Sequence, residues 1–153
     1  MRVLIVGCGR VGSTLARDLA GEGHAVTIVD ISRRAFERLG EGFTGQVVLG
    51  SGTDQEVLEQ AGASDADCFI SVTNGDNRNI MSAQIAREIF SIPRVMTRIY
   101  DPIRAKVYRE IGLYTYCPTE IGAAIARTFF AAGAEEADRP LRAIAPAGVP
   151  AGA

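Results

Sequence analysis

The sequence predicts a doubly wound α/β fold, in which a parallel sheet of about six strands lies between two layers of helices. Short β-branched runs alternate along the chain with segments of about 10 to 16 residues whose apolar side chains recur at helical spacing. The β-branched runs are apolar at nearly every position, which is typical of strands buried on both faces of a sheet. Strands that are each followed by a helix pair in parallel through right-handed crossovers.

The strands and the first helix can be assigned from these patterns. The predicted strands are Arg2–Val6, Ala25–Asp30, Gln46–Leu49, Cys68–Val72, Val95–Tyr100 and Leu113–Cys117. The first helix contains Leu15 and Leu19 and ends near Gly21, because glycine is common just past the end of a helix. A last helix is predicted near Thr119–Ala131.

The later helices are predicted from capping residues and apolar spacing. Thr53 and Glu56 have the spacing of a capping box at the start of the third helix. Asp101 followed by Pro102 is typical of the start of a helix, here the fifth. The third helix is expected to turn Val57, Leu58 and Ala61 inward. The apolar residues of the fourth helix are Ile80, Met81, Ile85 and Ile89. The buried face of the fifth helix is expected to hold Ile103, Val107 and Ile111.

Composition excludes several classes of protein. The net charge is −2, so nothing suggests a nucleic-acid partner. Cys8, Cys68 and Cys117 are odd in number and far apart, and His24 is the only histidine, which argues against a zinc site or a disulfide framework. Lys106 is the only lysine, and the arginine bias runs along the whole chain. Because no run approaches about 18 apolar residues, we expect a cytoplasmic protein that is not itself embedded in a membrane.

The composition changes near residue 131. From there the chain is rich in Ala, Gly and Pro and has almost no large apolar side chain. Such a segment buries too little surface to offset the entropy lost on ordering. We therefore expect a folded domain over residues 1–131 and a disordered tail over residues 132–153.

A glycine-rich motif, GCGRVG at residues 7–12, lies between the first strand and the first helix. Gly7 permits a tight turn, Gly9 lets a phosphate approach the backbone, and Gly12 lets the helix pack close to the sheet. Asp30, at the end of the second strand, can accept hydrogen bonds from both hydroxyls of an unmodified ribose, whereas a 2′-phosphate would meet a like charge. The motif predicts a Rossmann-type nucleotide-binding domain. The alternative is a structural glycine turn in which Asp30 caps a helix.

Several stretches together resemble the amino-terminal regulatory domain of the TrkA/KtrA type, also called the KTN or RCK-N domain. They are VGCGRVGSTLA, GSGTDQEVLEQAGASDADCFISVTNGDNRN, MTRIYDP and GLYTYCPTEIGA. This domain is the cytosolic nucleotide-sensing part of bacterial potassium uptake systems and channels. The resemblance implies an adenine-nucleotide ligand and an integral-membrane potassium transporter or channel as partner. It leaves NAD(H) and ATP/ADP open, because both carry the adenosine and diphosphate that the motifs hold.

The resemblance also implies the contacts of the ligand. In the family the loop at residues 7–12 holds the phosphates, and the acid at Asp30 binds the ribose. The pair at Thr73 and Asn74 lies beside the ligand, and the arginine at Arg98 belongs to the same site. The implied site residues are Gly7, Cys8, Gly9, Arg10, Val11, Gly12, Asp30, Ser51, Thr73, Asn74 and Arg98.

Some positions depart from the family pattern or allow two interpretations. Ser51 stands where the family commonly has an acid, and it can hydrogen-bond near the adenine without bringing a charge. Asp76 and Asn79 match an acid and an asparagine that open the fourth helix of the family, or they simply cap that helix. The usual carboxyl-terminal ligand-binding domain does not follow the match, which ends near Phe130. The sequence then belongs either to a short stand-alone version or to a truncated product.

The main alternative function is an NAD-dependent oxidoreductase, or a fragment of one. Such an enzyme needs a substrate pocket and an acid or base beside the nicotinamide. The tyrosine–lysine pair of short-chain dehydrogenases is absent, since Tyr100 is followed four residues later by Arg104. His24 lies at the entrance to the second strand, away from the cofactor edge. The sequence therefore favours a regulatory subunit that binds a nucleotide and has no catalytic residues.

The last predicted helix bears on assembly. It carries an apolar stripe at helical spacing, formed by Ile121, Ala124, Ile125, Thr128 and Phe129. The family uses the corresponding segment to exchange across a dimer. We therefore expect a homodimer, with larger rings as a further possibility.

Overall fold

The computed structural model describes residues 1–144 and contains one sheet of six parallel strands. The strands are β1 (Arg2–Val6), β2 (Ala25–Asp30), β3 (Gln46–Leu49), β4 (Cys68–Ser71), β5 (Arg94–Arg98) and β6 (Tyr114–Tyr116). Their spatial order is β3-β2-β1-β4-β5-β6, and each neighbouring pair is parallel. The predicted doubly wound, Rossmann-type fold is confirmed.

Helices cover the sheet in two layers. They are α1 (Arg10–Gly21), α2 (Gln55–Gln60), α3 (Asp76–Glu88) and α4 (Pro102–Glu110), with 3-10 helices at Arg33–Leu39 and Ala63–Asp65. On one face of β1, Val3 and Ile5 belong to the same buried cluster as Ala16 of α1. On the other face, Leu4 and Val6 belong to a cluster that includes Ala83 of α3. The continuous apolar run of β1 is thus explained by burial on both sides.

Several local predictions need correction. The helix that follows β2 is a 3-10 helix, Arg33–Leu39. The N-cap of α2 is Asp54, whose carboxylate accepts the backbone N–H groups of Glu56 and Val57 at 2.9 and 3.5 Å. Thr53 is not the cap, because its hydroxyl instead lies 2.8 Å from that of Ser51. A carboxylate one residue further along is the stronger acceptor at a helix start, where the dipole favours negative charge.

The apolar face of α4 points away from the core, contrary to prediction. Ile103, Val107 and Ile111 are 77%, 49% and 55% exposed, whereas Ala105 is fully buried. Ala105 and Tyr108 are three residues apart, so they lie on one face of the helix, and this face is the one turned to the core. Because alanine is small, the helix approaches β6 closely enough for Thr115 Oγ1 to donate to the Ala105 carbonyl oxygen at 3.2 Å. In the preceding helical segment, likewise, Ile80 and Ile85 are buried while Met81 and Ile89 are exposed.

A second compact unit begins at Pro118, after the unit Met1–Cys117. It contains α5 (Pro118–Ala132) and α6 (Ala134–Ile144), joined at Gly133, which has a φ of +84°. Ala134–Ile144 is therefore a helix and not the disordered segment that was expected. The second unit groups α5 with α6. The rest of the expected tail, residues 145–153, lies outside the described part of the chain. Within residues 1–144, no helix combines the length and the apolarity that crossing a bilayer requires.

Candidate functional site

The predicted site residues meet at the carboxyl ends of the strands, around a cavity of about 770 Å³. The cavity lies between β1 and β4. At this point the successive strands stop being added on one side of β1 and begin to be added on the other, and parallel α/β sheets generally bind ligands there. Its lining includes Gly7, Cys8, Gly9, Arg10, Val11, Asp30, Ser51, Thr73, Asn74 and Arg98. Gly12 is the one predicted residue outside the lining.

Gly7 and Gly12 shape the loop through close packing. Gly7 has a φ of +104°, and a Cβ atom there would lie 2.9 Å from the backbone nitrogen of Thr73. A Cβ atom on Gly12 would lie 1.9 Å from the carbonyl oxygen of Gly7, well inside van der Waals contact. These two glycines are therefore required by packing alone.

Gly9 differs from both. Its φ is −78°, which any residue can adopt, and a Cβ atom there would meet no atom of the described residues within 4 Å. Gly9 is the N-cap of α1, and no side chain in the described part of the chain caps the helix. The first-turn N–H groups of α1 are therefore left for another acceptor, and the absence of a side chain at Gly9 keeps the space in front of them open.

Asp30 ties the glycine loop to the end of β2. One carboxylate oxygen accepts the backbone N–H of Cys8 at 2.7 Å, and the other accepts that of Ser32 at 2.8 Å. Each carboxylate oxygen can accept a second hydrogen bond. Asp30 can therefore position the loop and still accept hydroxyl groups from a ligand. The alternative role of Asp30 as a helix cap does not describe this geometry, because the N-cap of the following 3-10 helix is Ser32.

Cys8 is a structural member of the loop. Its side chain is fully buried, and its thiol donates to the carbonyl oxygen of Ala35 at 3.3 Å. Burial, with a smaller contribution from the Asp30 carboxylate, raises the pKa of the Cys8 thiol to about 11, although Arg38 acts in the opposite direction. The thiol is consequently protonated at neutral pH and is a poor nucleophile.

The loop after β4 is held by Asn79, which is fully buried in the first turns of α3. Its Oδ1 accepts the backbone N–H and the hydroxyl of Thr73 at 2.8 and 2.7 Å. Its Nδ2 donates to the carbonyl oxygens of Thr73 and Arg98 at 2.9 and 3.0 Å. Asn79 thus positions two cavity residues and does not cap its own helix.

Asp76 has a similar role on the next loop along the sheet. Its two carboxylate oxygens accept the backbone N–H groups of Tyr100 and Asp101 at 2.9 and 3.2 Å. The carboxylate of Asp76 therefore fixes the connection between β5 and α4. Of the two interpretations left open by the sequence, simple capping of α3 is not what either residue does.

Arg98 brings a buried charge to the cavity wall. The residue is 8% exposed, and its Nη2 donates to the carbonyl oxygens of Val72 and Thr73 at 2.6 and 2.5 Å. The guanidinium carbon lies 4.7 Å from the centre of the Tyr100 ring. Its Nε is buried and has no hydrogen-bond partner in the described part of the chain. A buried charge without a counter-charge is costly, so this guanidinium favours an anion in the cavity.

The cavity lining also contains residues that were not predicted to belong to the site, among them Arg38, Arg78 and Tyr100. Arg38 lies in the 3-10 helix after β2, and Arg78 lies in the first turn of α3, where its Nη2 donates to Asn74 Oδ1 at 2.5 Å. The arginine bias of the whole chain hid them. The available signal for Arg78 was its position one helical turn after the predicted contact Asn74.

Ser51 follows β3 and lies next to the end of β2, on the other side of the glycine loop from Thr73 and Arg98. Its hydroxyl lies 2.8 Å from that of Thr53 and accepts the Thr53 backbone N–H at 3.3 Å. Both residues line the cavity. This part of the wall is therefore neutral and can both donate and accept hydrogen bonds.

Sequence comparisons identify relatives over the sheet-containing unit. The model of the TrkA-N domain family matches residues 3–117. The Trk system potassium uptake protein TrkA of Streptomyces coelicolor is 48% identical over 115 residues, which are 75% of this chain and 52% of that protein. A TrkA homolog of Pyrococcus abyssi is 38% identical over 113 residues, which are 72% of this chain and 49% of that protein. The chain thus spans about half the length of the curated relatives it matches.

Solved structures share the fold at lower sequence identity. The Shewanella denitrificans Kef CTD in its AMP-bound form has a TM-score of 0.72 at 21% identity, covering 92% of this chain and 88% of that one. GsuK bound to ADP has a TM-score of 0.70 at 24% identity, covering 84% of this chain and 33% of that one. The GsuK channel bound to NAD has a TM-score of 0.66 at 24% identity, covering 81% and 23%.

Proposed function

Because the chain belongs to the TrkA-N domain family, we propose that it is the nucleotide-sensing part of a bacterial potassium-transport regulator. It binds NAD(H) or ATP/ADP in the cavity described above and gates an integral-membrane transporter or channel. The names of the relatives support the transport role, and the AMP, ADP and NAD of the structural neighbours support the ligand class.

The observation that carries the proposal is the open space in front of Gly9. A bare glycine with unstrained φ, at an uncapped helix N-terminus, leaves room for a diphosphate to approach the backbone N–H groups. Arg98 adds a buried positive charge that lacks a counter-charge in the described part of the chain. The residues present therefore fit a nucleotide.

Each wall of the cavity then has a distinct role. The loop of residues 7–12 holds the phosphates, and the free acceptor positions of Asp30 orient the ribose. The hydroxyls of Ser51 and Thr53 face the base without charge. The loop at Thr73, fixed by Asn79, closes the other half of the cavity.

Regulation requires that the ligand have different affinities for two arrangements of the assembly, since a ligand shifts an equilibrium only by that difference. We propose that the chain forms a homodimer or a larger ring through α5, whose Ile121 and Phe129 are exposed in the single chain. The assembly acts from the cytoplasm, at the inner face of the membrane, through its membrane partner.

The proposed function does not include chemical conversion of the bound nucleotide. The carboxylate of Asp30 is bonded to two backbone N–H groups and the thiol of Cys8 is protonated, so neither is poised as a base or nucleophile. An oxidoreductase would need such a group beside the nicotinamide.

The first test is nucleotide-dependent stability and shape. A nucleotide at about 100 times its dissociation constant is expected to raise the free energy of unfolding by about 2.7 kcal/mol, measured by urea denaturation. ATP and NADH, added separately, should give distinct small-angle scattering profiles and be recovered unchanged. Reduction of a small carbonyl compound by NADH would contradict the proposal in favour of the oxidoreductase, and identical scattering with every nucleotide would leave only a passive binding domain.

The ribose contact gives a second test. Asp30→Ala should weaken binding of NADH about tenfold or more, because hydrogen bonds to a charged group are lost, and should weaken binding of NADPH less. Isothermal titration calorimetry measures both affinities. Asp54→Ala is the matched control, since that carboxylate also accepts two backbone N–H groups but lies outside the cavity. Equal losses for NADH and NADPH would remove the ribose assignment.

A further inference from the structure

We propose that Arg78 and Arg98 form a subsite for the terminal phosphate of a nucleoside di- or triphosphate. The inference rests on the proposed nucleotide-binding function and assigns the part of the cavity beyond the glycine loop, on the side away from Asp30. Thr73 and Asn74, the residues to which the two arginines are hydrogen-bonded, also belong to this subsite, which we call the β4 subsite.

The first argument is the balance of charge around the cavity. The charged residues in its lining are Asp30, Arg10, Arg38, Arg78 and Arg98. In the described part of the chain, none of these arginines has a carboxylate within salt-bridge distance. The one carboxylate is already bonded to two backbone N–H groups. The ligand must therefore supply most of the negative charge.

The second argument is that Arg78 and Arg98 are fixed to consecutive residues of one loop. Arg98 donates to the carbonyl oxygen of Thr73 at 2.5 Å, and Arg78 donates to the side-chain oxygen of Asn74 at 2.5 Å. Both partners are neutral, so both guanidinium groups keep their full charge. Arg78 uses one donor in this contact, and its remaining N–H groups are available to a phosphate.

The third argument concerns what can lie next to these charges. When the phosphate nearest the ribose lies over Gly9, the next group along the ligand reaches the β4 subsite. In ADP or ATP that group is an anionic phosphate. In oxidised NAD it is also a phosphate, but one that carries a single negative charge, compared with about two on the terminal phosphate of ADP, and that joins a ribose with a cationic nicotinamide ring. The subsite therefore favours nucleoside di- and triphosphates over NAD⁺.

The experiment compares AMP, ADP and NAD⁺ on the wild-type chain and on Arg78→Gln by isothermal titration calorimetry. Arg78 is exposed and lies at the start of α3, so the variant should fold, and circular dichroism checks this. We expect Arg78→Gln to weaken ADP about tenfold, to weaken NAD⁺ less than ADP, and to change the affinity for AMP by less than about twofold. Arg34→Gln is the matched control: its charge change is the same, its side chain is 90% exposed, and it lies outside the cavity.

The outcomes separate the subsite from the proposed function. A selective loss for ADP in Arg78→Gln, with no loss in Arg34→Gln, supports the subsite. Equal losses for AMP and ADP, or no loss for either, would overturn the subsite while leaving nucleotide binding intact. A wild-type chain that binds none of the three nucleotides would overturn both the subsite and the proposed function.

Discussion

Replacing Gly9 by valine is expected to lower nucleotide affinity by about a hundredfold, or about 2.7 kcal/mol, and to leave the sheet folded. A side chain at Gly9 projects into open space, and that space is where we propose that the diphosphate approaches the start of α1. The backbone angle at Gly9 is acceptable for valine, and an added Cβ atom meets nothing in the described part of the chain. The loss should therefore appear in calorimetric titration with ADP or NADH and not in the circular dichroism spectrum.

The control for this variant is Gly42→Val. Gly42 is also a loop glycine, and a Cβ added there meets no described atom within 4 Å, but it lies outside the cavity. It should bind nucleotide like the wild type. Undiminished affinity in Gly9→Val would show that the glycine loop is not the phosphate site.

The largest loss of stability is expected at Gly12. Gly12→Ala would place a Cβ atom 1.9 Å from the carbonyl oxygen of Gly7 and 3.2 Å from Val72. The first contact is with backbone, so it is relieved only by moving α1 away from the sheet. We expect the free energy of unfolding to fall by about 3 kcal/mol or more, measured by urea denaturation.

Gly21→Ala provides the comparison within the same helix. An added Cβ at Gly21 meets nothing within 4 Å, and alanine is favoured over glycine in a helix by about 0.5 to 1 kcal/mol. Gly21→Ala should therefore be neutral or stabilising. Equal effects of the two substitutions would mean that close packing of α1 on the loop does not hold the domain together.

The fold could be predicted because its strongest signals are local and repeated. β1 is apolar at consecutive positions and is followed by glycines and a helix, which is sufficient to predict a strand that is buried on both faces of a parallel sheet. The strand ends differ from prediction by only one or two residues at β4, β5 and β6. The grouping of the glycine loop, Asp30 and Thr73 around one cavity follows from the same topology. Their roles in binding stay predictions.

Other features depend on contacts that a single sequence does not contain. In α4, Ile103, Val107 and Ile111 have the periodicity of a buried face, but Ala105 on another side permits the closer approach to β6. Hydrophobicity alone could not distinguish the two faces. The position of Arg78 at the cavity likewise depends on how α3 meets the sheet, and the helix α6 has a composition that local rules assign to a tail.

The central place of β1 has a consequence for how the chain folds. Val3 pairs with Val26 on one side and with Cys68 on the other, so the sheet is complete only when distant segments have met. During synthesis β1, β2 and β3 emerge first, and the apolar edge of β1 stays unpaired until β4 arrives. The segment between β1 and β4 is long, and it loses conformational entropy before the two strands gain their hydrogen bonds, so this pairing is slow. Because Gly7 packs against the backbone of Thr73, just after β4, the same late event completes the floor of the cavity. A nucleotide can therefore bind only to chains that have finished this step, and it protects those chains from unfolding without hastening the others.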